Sequence, residues 1–195
     1  MNKAYKLREY VTHTIVIETD RLILRPMTVA DAKDVFEWVS DERVTKYMVY
    51  NTYTSIQQVK EWLKFVETDD STYNFGFVRK SDGRLIGSGD IGLRKNKPWA
   101  KPKDKGIESV WEFGYNLRYD CWGNGFATEA VKAMMKYVHD NFGAEHFFSC
   151  HAEPNSASGH VIEKCGLNFV GYGEFKKLDG SCKMRSMEYE GIYNL

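Results

Sequence analysis

The sequence lacks a charge excess, a long apolar run and any close pairing of cysteines. Its 195 residues contain 27 Lys plus Arg and 27 Asp plus Glu, so no basic surplus exists to attract nucleic acid. No apolar run approaches the ~20 residues that span a bilayer, and the opening MNKAYKLREYVTHT has no signal-peptide core. We therefore expect a cytoplasmic protein with no membrane or nucleic-acid partner.

The cysteine and histidine positions do not predict a disulfide framework or a metal site. The chain has four cysteines without a C-x-x-C pair: Cys121, Cys150, Cys165 and Cys182. We expect reduced thiols that mostly pack in the interior. His146 and His151 bracket a predicted strand, but no third ligand lies at a useful interval, so we expect no metal.

The composition that remains is typical of one globular domain. Hydrophobic residues make up 43% and charged residues 28% of the chain, a length at which roughly 70% of the extended surface can be buried. Periodicity predicts helices over 29–39, 126–141 and 157–164, and one that Ser55 caps. It predicts strands over 15–18, 22–25, 73–79, 85–93, 107–117, 146–152, 168–176 and 182–192. This order indicates a mixed α/β (α+β) fold with a mostly antiparallel sheet.

The run Trp122-Gly123-Asn124-Gly125-Phe126-Ala127-Thr128-Glu129-Ala130 lies between a predicted strand and a predicted helix. Its two glycines let the backbone approach a ligand closely, and the helix start presents unpaired N–H groups. Bare amides at the positive end of a helix dipole form a site for an anion, usually phosphate. The alternative is a tight strand-to-helix joint without a ligand.

Several motifs follow one another in a familiar order. They are Glu112-Phe113-Gly114-Tyr115, the glycine turn, Asn155-Ser156-Ala157-Ser158 and Cys165-Gly166-Leu167-x-Phe169-x-Gly171. Together they resemble the GNAT superfamily of acetyl-CoA-dependent N-acetyltransferases, and within it the branch of the ribosomal-protein N-terminal acetyltransferases. The opening Thr19-Asp20-Arg21-Leu22-x-Leu24-Arg25-Pro26 is similar to the start of that branch. The resemblance implies a GNAT-like domain over 14–195 after an N-terminal extension, 1–13.

One departure from the superfamily pattern is a tryptophan, Trp122, where the phosphate loop usually begins with Gln or Arg. Tryptophan is common there in the ribosomal-protein branch, so this residue supports the narrower resemblance. A second departure is the basic insert over 94–106, which is longer than the usual hairpin and which we expect to be an exposed loop.

The resemblance implies acetyl-CoA as the acetyl-donating co-substrate and no metal. The backbone of the turn would bind its pyrophosphate, through Gly123, Asn124, Gly125, Phe126, Ala127 and Thr128. The backbone of Tyr115 and Leu117 would pair with the pantetheine arm, as a peptide adds to a sheet edge. The amide of Asn155 would contact the same arm. Alternatively, Asn155 only caps a short helix and the two strand residues only pack in the core.

The chemistry expected from the resemblance is direct attack of an amine on the thioester in a ternary complex, without an acyl-enzyme. Glu112 is the candidate base and Ser158 the candidate group at the departing thiolate. Their alternatives are a surface glutamate and an ordinary first-turn helix residue. Glu153 and Tyr172 are the reserve candidates for base and acid.

The acceptor stays open between two classes of amine. The N-terminal amine of a protein or peptide is the leading acceptor, and a polyamine, amino sugar, aminoglycoside or amino acid is the alternative. A third possibility is a non-catalytic domain that only binds acyl-CoA. We expect a monomer or a homodimer.

Overall fold

A computed structural model describes residues 14–69, 71–94 and 109–194. The strands in this part of the chain are β1 (Ile17–Glu18), β2 (Leu22–Arg25), β3 (Thr72–Arg79), β4 (Leu85–Leu93), β5 (Val110–Leu117), β6 (His146–Ala152), β7 (Asn168–Lys176) and β8 (Lys183–Ile192). The α-helices are α1 (Ala32–Val39), α2 (Glu42–Thr45), α3 (Ile56–Thr68), α4 (Phe126–Phe142) and α5 (Ser156–Lys164). The N-terminal extension and all of the basic insert except Arg94 lie outside the described residues.

The eight described strands form one sheet in the order β1-β2-β3-β4-β5-β6-β8-β7. Every described neighbouring pair is antiparallel except β5 and β6, which run parallel. Parallel neighbours need a crossover connection, and α4 provides it between β5 and β6. The predicted mixed fold with a mostly antiparallel sheet is confirmed.

Helix starts follow the local signals that the sequence carries. Ser55 caps α3 together with Gln58, whose side-chain oxygen accepts a 3.1 Å bond from the Ser55 N–H. Thr28 donates its N–H to Asp31 at 2.8 Å, but the first turn of the predicted 29–39 helix is a 3₁₀ turn. The four-residue helix α2 was not predicted, because so short a segment shows no apolar periodicity.

The sheet has a hydrophobic core on each face. The larger core packs α4 and α5 against the middle of the sheet and includes Cys121 and Cys165. Burial raises the pKa of the Cys165 thiol to about 12, which fits the predicted packing role. The smaller core packs α1 and α3 on the opposite face, around Trp38 and Leu63. The sheet is therefore covered on both sides.

Candidate active site

The strands β5 and β6 separate along part of their length and form a wedge. Their ladder contains three pairs and ends at Glu112 and Phe148. Past these pairs, the hydroxyl of Ser149 donates to the Phe113 carbonyl at 3.0 Å and closes the narrow end of the wedge. Both strands continue beyond it, to Leu117 and Ala152, so backbone groups of β5 face an open space rather than a partner strand.

The glycine turn lies at the wide end of this wedge, directly before α4. Gly123 and Gly125 have φ values of 75° and 79°, in the left-handed region that favours glycine. A Cβ atom on Gly123 would meet no other atom within 4 Å, so the turn faces open space. Gly125 is the N-cap of α4, which leaves the N–H groups of residues 125–128 without acceptors inside the helix. The turn can bind an anion through its backbone.

The side chains of the turn fold inward and hold its shape. Asn124 donates from its amide to the carbonyl of Trp122 at 2.9 Å and to that of Cys121 at 3.3 Å. The indole N–H of Trp122 donates to the Leu117 carbonyl at 2.9 Å. The amide of Asn124 is therefore engaged within the turn, and only its backbone is available to a ligand. The Leu117 carbonyl, at this end of β5, already accepts one hydrogen bond.

A second set of contacts ties the turn to the start of the sheet, and the sequence analysis missed it. Glu129, in the first turn of α4, accepts a 2.6 Å bond from the Thr19 hydroxyl and a 2.7 Å bond from Nε of Arg21. Nη1 of Arg21 also donates to the Asn124 carbonyl at 2.9 Å, and the guanidinium lies 4.6 Å from the centre of the Phe126 ring. Arg21 and Glu129 each belong to a motif quoted above, but the contact between them joins positions that lie 108 residues apart in the sequence.

The side chain of Tyr115 crosses the wedge to α5. Its hydroxyl lies 2.7 Å from the hydroxyl of Ser158 and donates to the Ser158 carbonyl at 3.0 Å. Burial raises the pKa of Tyr115, and the hydrogen bond from Ser158 only partly opposes this. Tyr115 is therefore a neutral phenol at physiological pH. The two residues form one hydroxyl pair, a link that the separate motifs did not predict.

Asn155 does not cap α5 with its side chain. Its backbone carbonyl accepts the first helical bond, from the Ser158 N–H at 3.1 Å, while no capping bond from the amide is formed. The side chain is half-buried, and the backbone N–H of Asn155 donates to the carbonyl of Ala152, the last residue of β6, at 2.8 Å. This leaves the amide available for a ligand, as the predicted pantetheine contact requires.

The three candidate carboxylates and phenols differ in their surroundings. Glu112 is on β5 next to the narrow end of the wedge, and its Oε2 lies 3.5 Å from Nε of Arg94. Glu153 accepts from Nε of Arg185 at 2.8 Å, and this bond lowers its pKa. Tyr172 is 54% exposed, and the Arg185 guanidinium stacks 4.1 Å from its ring. Of the reserve candidates, Glu153 is held ionised by its partner and Tyr172 lies on β7, away from the wedge.

The described residues also limit other types of site. Within 14–69, 71–94 and 109–194, no three His, Cys, Asp or Glu side chains are grouped to hold a metal ion. In the same ranges, no helix has the length and apolar character needed to cross a bilayer. The site is thus described by the wedge, the glycine turn and the hydroxyl pair.

Comparison with known proteins finds similarity to acetyltransferases in both sequence and structure. The family model of the acetyltransferase (GNAT) domain matches residues 21–168. YoaA of Bacillus subtilis, named as an uncharacterized N-acetyltransferase, is 28% identical over 163 residues, which cover 80% of this chain and 84% of YoaA. A GNAT-family acetyltransferase from Bacillus anthracis has a TM-score of 0.72 at 23% identity, covering 91% of this chain and 98% of its own. The ribosomal-protein-S5-alanine acetyltransferase from Vibrio fischeri has a TM-score of 0.68 at 16% identity, covering 91% and 96%.

Proposed function

The chain belongs to the GNAT acetyltransferase family, and we propose that this acetyl-CoA-dependent enzyme acetylates the N-terminal amine of a protein or peptide. The predicted enzyme class is confirmed by the family match over 21–168 and by the N-acetyltransferase relatives. That match favours an active transferase over a domain that only binds acyl-CoA. The acceptor and the roles of single residues are our proposal.

The observation that supports the cofactor arrangement is the position of the glycine turn at the open end of the wedge. Backbone N–H groups of residues 123–128 would bind the pyrophosphate. The pantetheine arm would then extend into the wedge, where β5 has no partner strand beyond Glu112. Tyr115 and Leu117 would offer backbone groups to the arm and Asn155 its amide. The acetyl end would reach the narrow end, near Phe113 and Ser149.

The amine must lose a proton before it attacks the thioester, and the thiolate must gain one. The lone pair of the neutral amine attacks the acetyl carbonyl, the C–S bond breaks, and coenzyme A leaves as the thiol. Glu112 would be one candidate base, which is supported by its position on β5 at the last pair of the β5–β6 ladder. The hydroxyl pair of Tyr115 and Ser158 would donate to the sulfur, which is supported by the 2.7 Å contact between their hydroxyls across the wedge.

Two considerations favour an α-amine as the acceptor. The first is chemical: an N-terminal amine has a pKa near 8, whereas a lysine-type amine has one of roughly 10.4, so more of it is neutral at physiological pH. The second is the motif order, which resembles the ribosomal-protein branch. The Vibrio fischeri neighbour is named for a ribosomal-protein alanine substrate, and this chain has the same fold.

A small cationic amine is the second candidate, and the charge on one sheet face supports it. Arg94 contacts both Glu112 and the Phe148 ring, so these two side chains share a face. Cys150 follows Phe148 by two positions and pairs with Glu188, which places a further carboxylate on that face. An acidic surface of this kind attracts ammonium groups.

A thiol-release assay with acetyl-CoA distinguishes the candidates. Peptides with free N-terminal Ala, Ser or Met would be compared with spermidine, glucosamine and kanamycin. The same peptides with a blocked N-terminus serve as the matched control. Turnover with free peptides alone supports the leading acceptor, and turnover with the small amines alone supports the second. If the folded enzyme acetylates none of them, the proposal is wrong.

A further inference from the structure

Asp90, on β4, has no role in the sequence analysis, yet it lies beside the narrow end of the wedge. Asp90 pairs with Gly114, and Gly92 pairs with Glu112 in the same antiparallel ladder. Residues that pair in this way point to the same side of a sheet. The intervening Ile91 and Phe113 pack in the α4 core. Asp90 and Glu112 therefore share the opposite face, where an acceptor would approach.

Gly114 allows the Asp90 carboxylate to lie directly over β5. A Cβ atom at position 114 would be 3.0 Å from Oδ1 of Asp90, so any larger residue there would crowd the carboxylate. Gly114 is also the first residue of β5 past Phe113, whose carbonyl receives the closing bond from Ser149. The Asp90 carboxylate thus lies over the point where an arm filling the wedge would end.

The charges around Asp90 make it different from the other carboxylates of the site. Glu112 has Arg94 as an ion-pair partner at 3.5 Å. Asp69 accepts from the hydroxyls of Ser71 at 2.6 Å and Thr72 at 2.8 Å. Although burial opposes it, these bonds lower the pKa of Asp69, which stays ionised.

Asp90 itself is half-buried and faces two negative groups. Burial, followed by the charges of Glu112 and Asp69, raises its pKa to about 6. A carboxylate of this kind is ionised at neutral pH but still basic enough to accept a proton from an ammonium. The Arg94 side chain is only 6% exposed, and its guanidinium stacks on the Phe148 ring. Its charge is therefore directed at Glu112.

We propose that Asp90 is the catalytic base, and that Glu112 is a positioning residue that tunes it. The inference rests on the proposed acetyl transfer. The ammonium proton of the acceptor passes to Asp90, directly or through one water molecule. The freed lone pair forms the N–C bond as the C–S bond breaks. The nitrogen then loses a second proton, which reaches the thiolate through the hydroxyl pair, so coenzyme A leaves as the thiol. Asp90 then returns its proton to solvent, so each turnover yields the acetylated amine, coenzyme A and one proton.

The test compares Asp90→Asn with Glu112→Gln across pH 5 to 9, using whichever panel amine the wild type acetylates fastest. For the wild type, kcat/KM, which reports groups of the free enzyme, rises with pH through an inflection near 6. Asp90→Asn lowers kcat by about a hundredfold or more and removes that inflection, while acetyl-CoA affinity by calorimetry stays within about twofold. Glu112→Gln keeps an inflection but moves it to lower pH, because one negative neighbour of Asp90 is gone.

Several results would overturn the inference. One is full activity of Asp90→Asn with an unchanged inflection; another is loss of turnover in Glu112→Gln alone, which would make Glu112 the base. If Asp90→Asn does not fold, the pH profile of Glu112→Gln still tests the proposal. An inflection at the wild-type pH would contradict the claim that Glu112 tunes Asp90. A wild type that acetylates no amine would contradict the proposed function itself, a result distinct from these.

Discussion

The hydroxyl of Tyr115 lies 2.7 Å from the hydroxyl of Ser158, and this contact joins β5 to α5 across the open part of the wedge. Because Tyr115 also donates to the Ser158 carbonyl at 3.0 Å, the tyrosine fixes the position of the serine rather than only touching it. Under the proposed acetyl transfer, a hydroxyl pair held in this way would pass a proton to the thiolate of coenzyme A.

The first prediction concerns this pair. Ser158→Ala should lower kcat by about ten- to a hundredfold, and Tyr115→Phe by a similar factor, since each removes one member of the proton path. The double variant should be little worse than the poorer single one, because the residues act as a unit. Steady-state thiol release measures this. Ser156→Ala, an exposed serine on the same helix, is the control; equal loss there would contradict the prediction.

The second prediction separates backbone strain from cofactor binding. Gly123 and Gly83 have φ values of 75° and 69°, and a Cβ on either meets nothing within 4 Å. Gly123→Ala and Gly83→Ala should each cost about 1 kcal/mol of unfolding free energy. Only Gly123→Ala should weaken acetyl-CoA binding, by at least about tenfold, because a side chain there intrudes on the anion site. Calorimetry of both variants decides, and equal affinities would refute a phosphate-binding turn.

The third prediction concerns Glu129 and its contacts with Thr19 and Arg21. Burial raises the pKa of Glu129, but hydrogen bonds from these two residues outweigh it and the net shift is downward. A group whose pKa is lowered by folding stabilises the protein at pH values above its unfolded-state pKa. This stabilisation is lost as the pH falls through its folded-state pKa. Glu129→Gln should therefore cost about 1–2 kcal/mol at pH 7 and much less near pH 3.

Urea unfolding at the two pH values measures the effect. The matched control is Asp140→Asn, which breaks the exposed ion pair of Asp140 with Lys136 on the same helix, at 2.7 Å. Such pairs contribute at most about 0.5 kcal/mol. A pH-independent loss in Glu129→Gln, or a loss no larger than that of the control, would show that the contacts to Arg21 do not hold the turn.

The fourth prediction uses the sign of the Asp90 shift. Its pKa is raised to about 6 in the folded protein, so folding is favoured as pH falls through 6 and the ionised carboxylate destabilises the protein above it. Asp90→Asn should therefore raise the unfolding free energy by about 1–2 kcal/mol at pH 8 and have little effect near pH 4. Thermal unfolding at both values tests this; destabilisation at pH 8 would mean a structural role.

Much of the fold and part of the site follow from local sequence. The strands 85–93, 146–152 and 168–176 were predicted with the bounds that the structure has. The start of α4 and the paired glycines before it were also predicted. These features depend on alternation, caps and allowed φ angles within a few residues, which a single segment of sequence carries.

The register of the sheet and the packing of α5 decided which distant residues meet in the site. Asp90 and Gly114 meet because β4 and β5 pair in one register, and Tyr115 meets Ser158 across 43 positions because α5 returns over the wedge. Arg94 reaches Glu112 because it directly follows β4 in the same register, where its N–H donates to the Val110 carbonyl. The sequence by itself determined where most of the helices and strands and the glycine turn form. Only the tertiary structure decided which carboxylates and hydroxyls share the wedge, because long-range contacts depend on register and packing rather than on neighbours along the chain.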